Sequence, residues 1–159
     1  MEEIVKRLTE KNLTIATMES CTGGALANAI TNIEGSSLVF KFGAVTYSNE
    51  YKIKMGVDSN IINKFSVYSI ETAEEMSKNI ATFTHSDIGI GVTGKINRED
   101  VNNKYGEDNK IFVSIFINKK NQFLNFSLIV NQSLNREENK KIIVNRIIDE
   151  LKKLLDISD

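Results

Sequence analysis

The chain has 159 residues, of which 41% are hydrophobic and 26% charged, a balance expected of one globular domain with its own core and far from the signature of disorder. Lys plus Arg number 20 against 21 Asp plus Glu, for a formal net charge of −1. No whole-chain field therefore draws it to nucleic acid or anionic lipid, and any anion must be held locally. One cysteine and one histidine exclude an intramolecular disulfide and a Cys/His zinc site of the usual ligand count.

The N-terminus, Met1-Glu2-Glu3-Ile4-Val5-Lys6-Arg7, is charged and amphipathic and lacks the apolar run of a signal peptide or membrane span, so a cytoplasmic protein is expected. Ile4, Val5 and Leu8 share one face of a short helix, and residues 13–18 read as a compact strand. The chain then bends at Ser20-Cys21-Thr22-Gly23-Gly24 into a helix of small residues over 25–30, suited to close packing on a sheet. A strand is predicted over 38–47, with Gly43 marking a bulge or a close backbone approach. Short helices follow over 49–55 and 60–65, the second capped by Asp58 or Ser59. Ser69 caps a longer helix whose stripe is Ala73, Met76, Ile80 and Phe83 and which ends near His85. Apolar runs at 88–92, 111–117 and 123–130 have strand lengths, the first two continuous enough to be covered on both faces. The last two are joined by a hairpin-length turn, Lys119-Lys120-Asn121-Gln122. A final helix over 135–155 aligns Ile143, Ile147, Leu151 and Leu154. The interval 93–110 is polar, with Gly94 and Gly106, and is long enough to be functional. The sum is an α/β fold, a three-layer α/β/α sandwich with a mixed sheet, and residues 1–159 form a single domain.

The bend at Ser20 is the most informative place. Gly23 and Gly24 permit a tight turn, and a helix start there aims amide N–H groups at one point, which is how an anion or oxyanion is held. Ser20 is then either a helix cap or a nucleophile. The lone His85 closes a surface helix and is a poor partner for a Ser-His-Asp triad. Tyr47 and Lys52, at a second strand end, supply another base, since a lysine serves near neutrality when desolvation lowers its usual pKa of about 10.4. A solvated lysine and a packed tyrosine are the plain alternative. Cys21 beside the helix start is either a thiol of lowered pKa or a small buried filler.

Met18-Glu19-Ser20-Cys21-Thr22-Gly23-Gly24, Glu34-Gly35-Ser36-Ser37, the run Gly43 to Lys52 and Met55-Gly56-Val57 closely resemble the CinA carboxy-terminal domain family. Weaker agreement runs through Ile88-Gly89-Ile90-Gly91-Val92-Thr93-Gly94 and Asn135-Arg136. The resemblance implies a three-layer α/β/α fold and a homo-oligomer. It also implies an amidohydrolase that converts nicotinamide mononucleotide to nicotinate mononucleotide and ammonia, an acyl transfer that requires no cofactor and no metal, while the balanced charge and the lack of interleaved basic and aromatic residues weigh against a direct nucleic-acid partner. It places catalysis on Ser20, Tyr47 and Lys52, and substrate contacts on Cys21, Thr22, Gly23, Gly24, Asn49, Thr93, Gly94 and Arg136. The chain departs from the family where Thr93-Gly94 leads into Lys95-Ile96-Asn97-Arg98-Glu99-Asp100 instead of a Gly- and Pro-rich segment. Lys95, Arg98 or Lys104 would there supply charge to a phosphate in place of backbone amides. A catalytically degenerate nucleotide-binding or regulatory protein is the alternative function.

Overall fold

The computed structural model describes residues 1–97 and 106–157. Six helices, α1 (Glu2–Glu10), α2 (Ala25–Thr31), α3 (Asn49–Lys54), α4 (Ser59–Phe65), α5 (Ile70–Thr84) and α6 (Arg136–Leu154), surround five strands among the described residues. The strands are β1 (Ile15–Glu19), β2 (Phe40–Val45), β3 (Ile88–Gly94), β4 (Lys110–Ile117) and β5 (Gln122–Ile129), in sheet order β2-β1-β3-β4-β5. β1 pairs in parallel with β2 and β3, whereas β3–β4 and β4–β5 are antiparallel. Only β4 and β5 are joined by a short antiparallel turn, at residues 118–121, whereas residues 95–109 separate β3 from its antiparallel neighbour β4.

Strand periodicity sorts the core into two layers. Ile15 faces Ile4, Val5 and Leu8 of α1, Leu26 and Ile30 of α2, and Ile143, Ile147 and Leu151 of α6. Ala16 and Met18, one step along, face Met76 and Ile80 of α5 with Val57, Ile62 and Val67. The helix caps follow the sequence: Asp58 accepts from the Asn60 amide, Ser69 from that of Thr72, and Asn135 forms a capping box with Glu138. His85 closes α5 in the left-handed conformation, at φ 53°.

Three expectations need correction. Residues 36–38 form a 3₁₀ turn, so β2 starts only at Phe40. Gly43 itself is as expected: the β1–β2 register shifts between Ile15 and Thr17, and an added methyl there would lie 2.6 Å from Thr17 Oγ1. Phe83 leaves the buried stripe of α5, 62% exposed, and meets the ring of Phe42 at 5.6 Å. Finally, Lys95 and Ile96 are buried, so the interval after β3 does not begin as a solvated loop. Arg98 and Lys104 lie outside the described residues.

The order places the site. From β1 the chain crosses through α2 on one face to β2, then returns through α5 on the other face to β3. Crossovers on opposite faces open a crevice beyond the carboxyl ends of β1 and β3, where ligands settle in open α/β sheets. Ser20 is the first residue past β1 and its amide donates to Val92 O of β3 at 2.9 Å.

Candidate active site

Ser20, at that crevice, is buried, and its Oγ accepts a hydrogen bond from Lys52 Nζ at 2.9 Å. The amine donates a second bond to Thr46 O at 2.8 Å. Lys52 is 2% exposed, while its apolar neighbours Tyr51 and Ile53 are 55% and 44% exposed. This inverts the usual partition of side chains, because sinking an amine costs several kcal/mol where sinking isoleucine is favourable. α3 starts where Ser48 accepts from the Tyr51 amide, and that start sets the phase that turns Lys52 inward.

Glu19, fully buried at the end of β1, fills the role expected of a helix cap. Its Oε1 accepts from the Leu26 amide and its Oε2 from the Ala27 amide, each at 2.9 Å. The Gly23 amide closes the bend on Ser20 O and that of Ala25 on Thr22 O. The bend is therefore less open to an anion than its glycines suggest, and Ser20 is not the cap. The amides of Thr22 and Gly24 have no hydrogen-bond partner among the described residues, and the buried hydroxyl of Thr22 has none either. Gly23 at φ 60° and Gly24 at φ 95° occupy the left-handed region that the turn requires.

Cys21 departs from the reactive reading. Its side chain belongs to the core shared with α1, α2 and α6, and burial pushes its thiol up to about 12, against a smaller opposite pull from Lys52. Thr93 is fully buried and its hydroxyl donates to Val67 O at 2.9 Å, so it braces the segment between α4 and α5. An added methyl at Gly94 would lie 2.5 Å from Lys110 O, so that glycine serves the β3–β4 contact. Asn49 opens α3, half-buried.

Tyr47 is 63% exposed, and its hydroxyl accepts from Arg136 Nη2 at 3.1 Å and bonds neither Ser20 nor Lys52. Arg136 Nη1 also donates to Ile96 O. The start of α6 is further tied to this segment by three asparagines. Asn97 donates from Nδ2 to Leu134 O and from its amide to Asn109 Oδ1, and Asn139 donates to Asn97 Oδ1. Lys95 is turned away into its own contacts: Gly106 O at 3.3 Å, Asp108 at 3.6 Å and the Tyr68 ring at 5.1 Å.

Sequence reasoning missed Glu19, whose signal was a carboxylate one residue before the bend. It also missed Asn139, which read as one polar residue among many on α6. His85 lies just before β3, at the opposite end of the parallel strands from Ser20.

The family model of the CinA C-terminal domain matches residues 1–155. The chain belongs to the CinA C-terminal domain family. A relative bearing the name competence-damage inducible protein, from Clostridium botulinum (strain ATCC 19397 / Type A), is 39% identical over 161 residues, covering 98% of this CinA domain and 37% of that protein. One so named from Clostridium novyi (strain NT) is 49% identical over 96 residues, 59% of this chain and 23% of its own. The chain thus spans well under half the length of these curated relatives. Among solved structures, a CinA superfamily protein from Klebsiella pneumoniae 700603 aligns with a TM-score of 0.88 at 22% identity, over 98% of this chain and 94% of the other. The competence/damage inducible protein CihA from Agrobacterium tumefaciens aligns at 0.82 and 27% identity, over 99% and 95%. The mixed sheet of this CinA domain with its two helical layers is the fold of those structures. Among the described residues no helix is long and apolar enough to cross a membrane.

Proposed function

We propose that residues 1–159 act as one cytoplasmic, self-associating domain that hydrolyses the carboxamide of nicotinamide mononucleotide to nicotinate mononucleotide and ammonia. One observation carries the reading: a lysine buried against the hydroxyl of a serine, at the crevice where this sheet order places ligands. The same 2.9 Å pair serves proton transfer in either direction. As an ammonium, Nζ donates to Oγ; as a neutral amine it accepts the hydroxyl proton.

In the first half-reaction Lys52 takes the Ser20 proton while Oγ bonds to the carboxamide carbon. The oxygen of the tetrahedral intermediate gains negative charge, and the unpartnered amides of Thr22 and Gly24 are the donors for it. Collapse breaks the carbon–nitrogen bond, and the Lys52 ammonium returns its proton to the departing nitrogen, releasing ammonia. Water, deprotonated by the same amine, then attacks the acyl-serine and frees the carboxylate. Tyr47, bonded to Arg136, borders the crevice and is assigned to substrate positioning instead of proton relay. The side chains of Cys21 and Thr93 are left out of substrate contact because both are committed inside the fold.

The purified protein is expected to release ammonia from nicotinamide mononucleotide, and Ser20→Ala to abolish that release; turnover that survives the substitution refutes the mechanism. A second reading, a nucleotide-binding or regulatory domain without turnover, is favoured by Thr93 and Lys95 being held in internal contacts. Binding of the nucleotide by calorimetry without ammonia release would select it.

A further inference from the structure

The start of α6 holds a polar network that the mechanism does not use. Arg136 opens that helix, where the dipole disfavours a cation, so helix stability does not account for it. Its guanidinium is held from outside: Nη1 donates to Ile96 O, and Nη2 to the Tyr47 hydroxyl at 3.1 Å. The peptide joining Ile96 to Asn97 is gripped from its other side as well, because the Asn97 amide donates to Asn109 Oδ1 at 2.9 Å. In a planar trans peptide the N–H and C=O point opposite ways, so aiming one aims the other. The Asn97 side chain adds a second hold: Nδ2 donates to Leu134 O at 2.6 Å, and Oδ1 accepts from Asn139 Nδ2 at 2.9 Å. Asn139 is fully buried, one turn along α6 from Arg136. It also donates to Asn131 O at 2.8 Å and accepts from the Asn131 amide at 3.0 Å, which commits both polar atoms of its side chain.

From this we infer that Asn139, acting through Asn97, is a positioning residue for the proposed reaction. It fixes the Ile96 carbonyl that holds Arg136 against Tyr47, the residue assigned to substrate positioning. A side-chain amide suits the task because it carries donors and an acceptor together and bridges a carbonyl and an N–H at once. Asn97 and Asn109 are both left-handed, at φ 59° and φ 58°, a conformation that asparagine tolerates better than most residues. The role in catalysis rests on the amidase reading; the hold on Arg136 does not.

The test has two arms. Asn139→Leu leaves buried groups unpaired and endangers the fold, so the variant used is Asn97→Gly. Glycine adopts its φ of 59° freely, and the bonds between Asn139 and Asn131 stay in place. With nicotinamide mononucleotide, Asn97→Gly is expected to raise KM about threefold or more, the scale on which members of one hydrogen-bonded network couple. It should leave kcat within about twofold, because β1 and α3 place Ser20 and Lys52. In an Arg136→Ala background the same substitution should move KM by less than about twofold, since the group through which it acts is gone; a general packing defect would raise KM equally in both. An unchanged KM, an equal rise in both backgrounds, or a loss confined to kcat overturns the proposal. The second arm needs no activity: solvent exchange of the Arg136 side-chain N–H protons is followed by nitrogen-15 resonance, the signals being identified by their absence from Arg136→Ala protein. Slow exchange in the parent that becomes fast in Asn97→Gly supports the hold even if no amidase is found. Exchange that is fast in the parent, or unchanged by the substitution, removes it even if turnover is robust.

Discussion

Lys52 and Cys21 are both buried beside Ser20, and their chemistry separates them. Lys52→Met removes the only amine bonded to Ser20 Oγ among the described residues and is expected to lower kcat on the order of 10²–10⁴-fold, the usual share of a positioned base. The fold should survive, since the loss of hydrogen bonds such as those to Ser20 Oγ and Thr46 O is offset by no longer sinking an amine; ammonia release and far-ultraviolet circular dichroism read the two halves. For the thiol the sign is worked out from its direction of shift. Cys21 is raised to about 12 in the folded protein, whereas an unfolded thiol ionises near about 8.5. Stability from keeping it neutral is complete below that lower value and drains away as pH rises toward the upper one. Native protein at pH 9 should therefore resist iodoacetamide until it is unfolded in urea, and Cys21→Ala should keep turnover while costing about 1 kcal/mol of stability. Fast native labelling would show that the thiol is reactive after all. Ser20 and Lys52 were legible in the sequence because each sits at a strand end marked by turn residues. Glu19 was not, since a lone carboxylate ahead of the bend shows its role only once the Leu26 and Ala27 amides are seen to reach it.

α5 lies directly on the backbone of β3, and two glycines allow it. Gly89 and Gly91 are two apart and so point to one face. An added methyl would lie 2.0 Å from Ser77 O at the first and 2.3 Å from Ala73 O at the second. Below them Ser77 Oγ bonds Ser114 Oγ of β4 at 2.9 Å, so the helix has nowhere to shift without breaking a buried polar contact. Gly91→Ala is expected to cost about 1–3 kcal/mol or more through overpacking, read from the urea midpoint. Turnover should fall with it, because β3 supplies the Val92 carbonyl that anchors the Ser20 amide. A variant as stable as the parent would mean that the helix is not seated this closely. The continuous apolar run at 88–92 marked the strand in sequence but not its partner. Capped elements such as α4 and α5 were placed closely by Asp58 and Ser69. β2 was overdrawn because Leu38 and Val39 continue its apolar run, while the turn that excludes them is set by Gly35 at φ 82°.

At the scale of the molecule, alternating helices and strands fixed the layers, but strand order depends on pairings far apart in sequence and had no local signal. That order leaves β2 at an edge, with consequences for assembly. β2 lends one side of its backbone to β1, and around it Leu38, Phe42, Val45 and Phe83 are 67%, 40%, 52% and 62% exposed. Edge strands are usually blunted by charge, proline or a covering element; along β2 only Lys41 carries charge. Self-association through this edge would bury that surface and pair its free backbone groups. Tyr47, just beyond β2 and 63% exposed, would be shielded with it, so assembly and substrate positioning would be linked. The double variant Phe42→Lys/Val45→Lys, which leaves Ser20, Lys52 and Arg136 untouched, should sediment as a monomer where the parent sediments as an oligomer. Its KM for nicotinamide mononucleotide should rise as Tyr47 loses that cover, and kcat should hold because the Ser20–Lys52 pair does not depend on the edge. A parent protein that stays monomeric at high micromolar concentration would break the link between this edge and assembly, whatever its turnover.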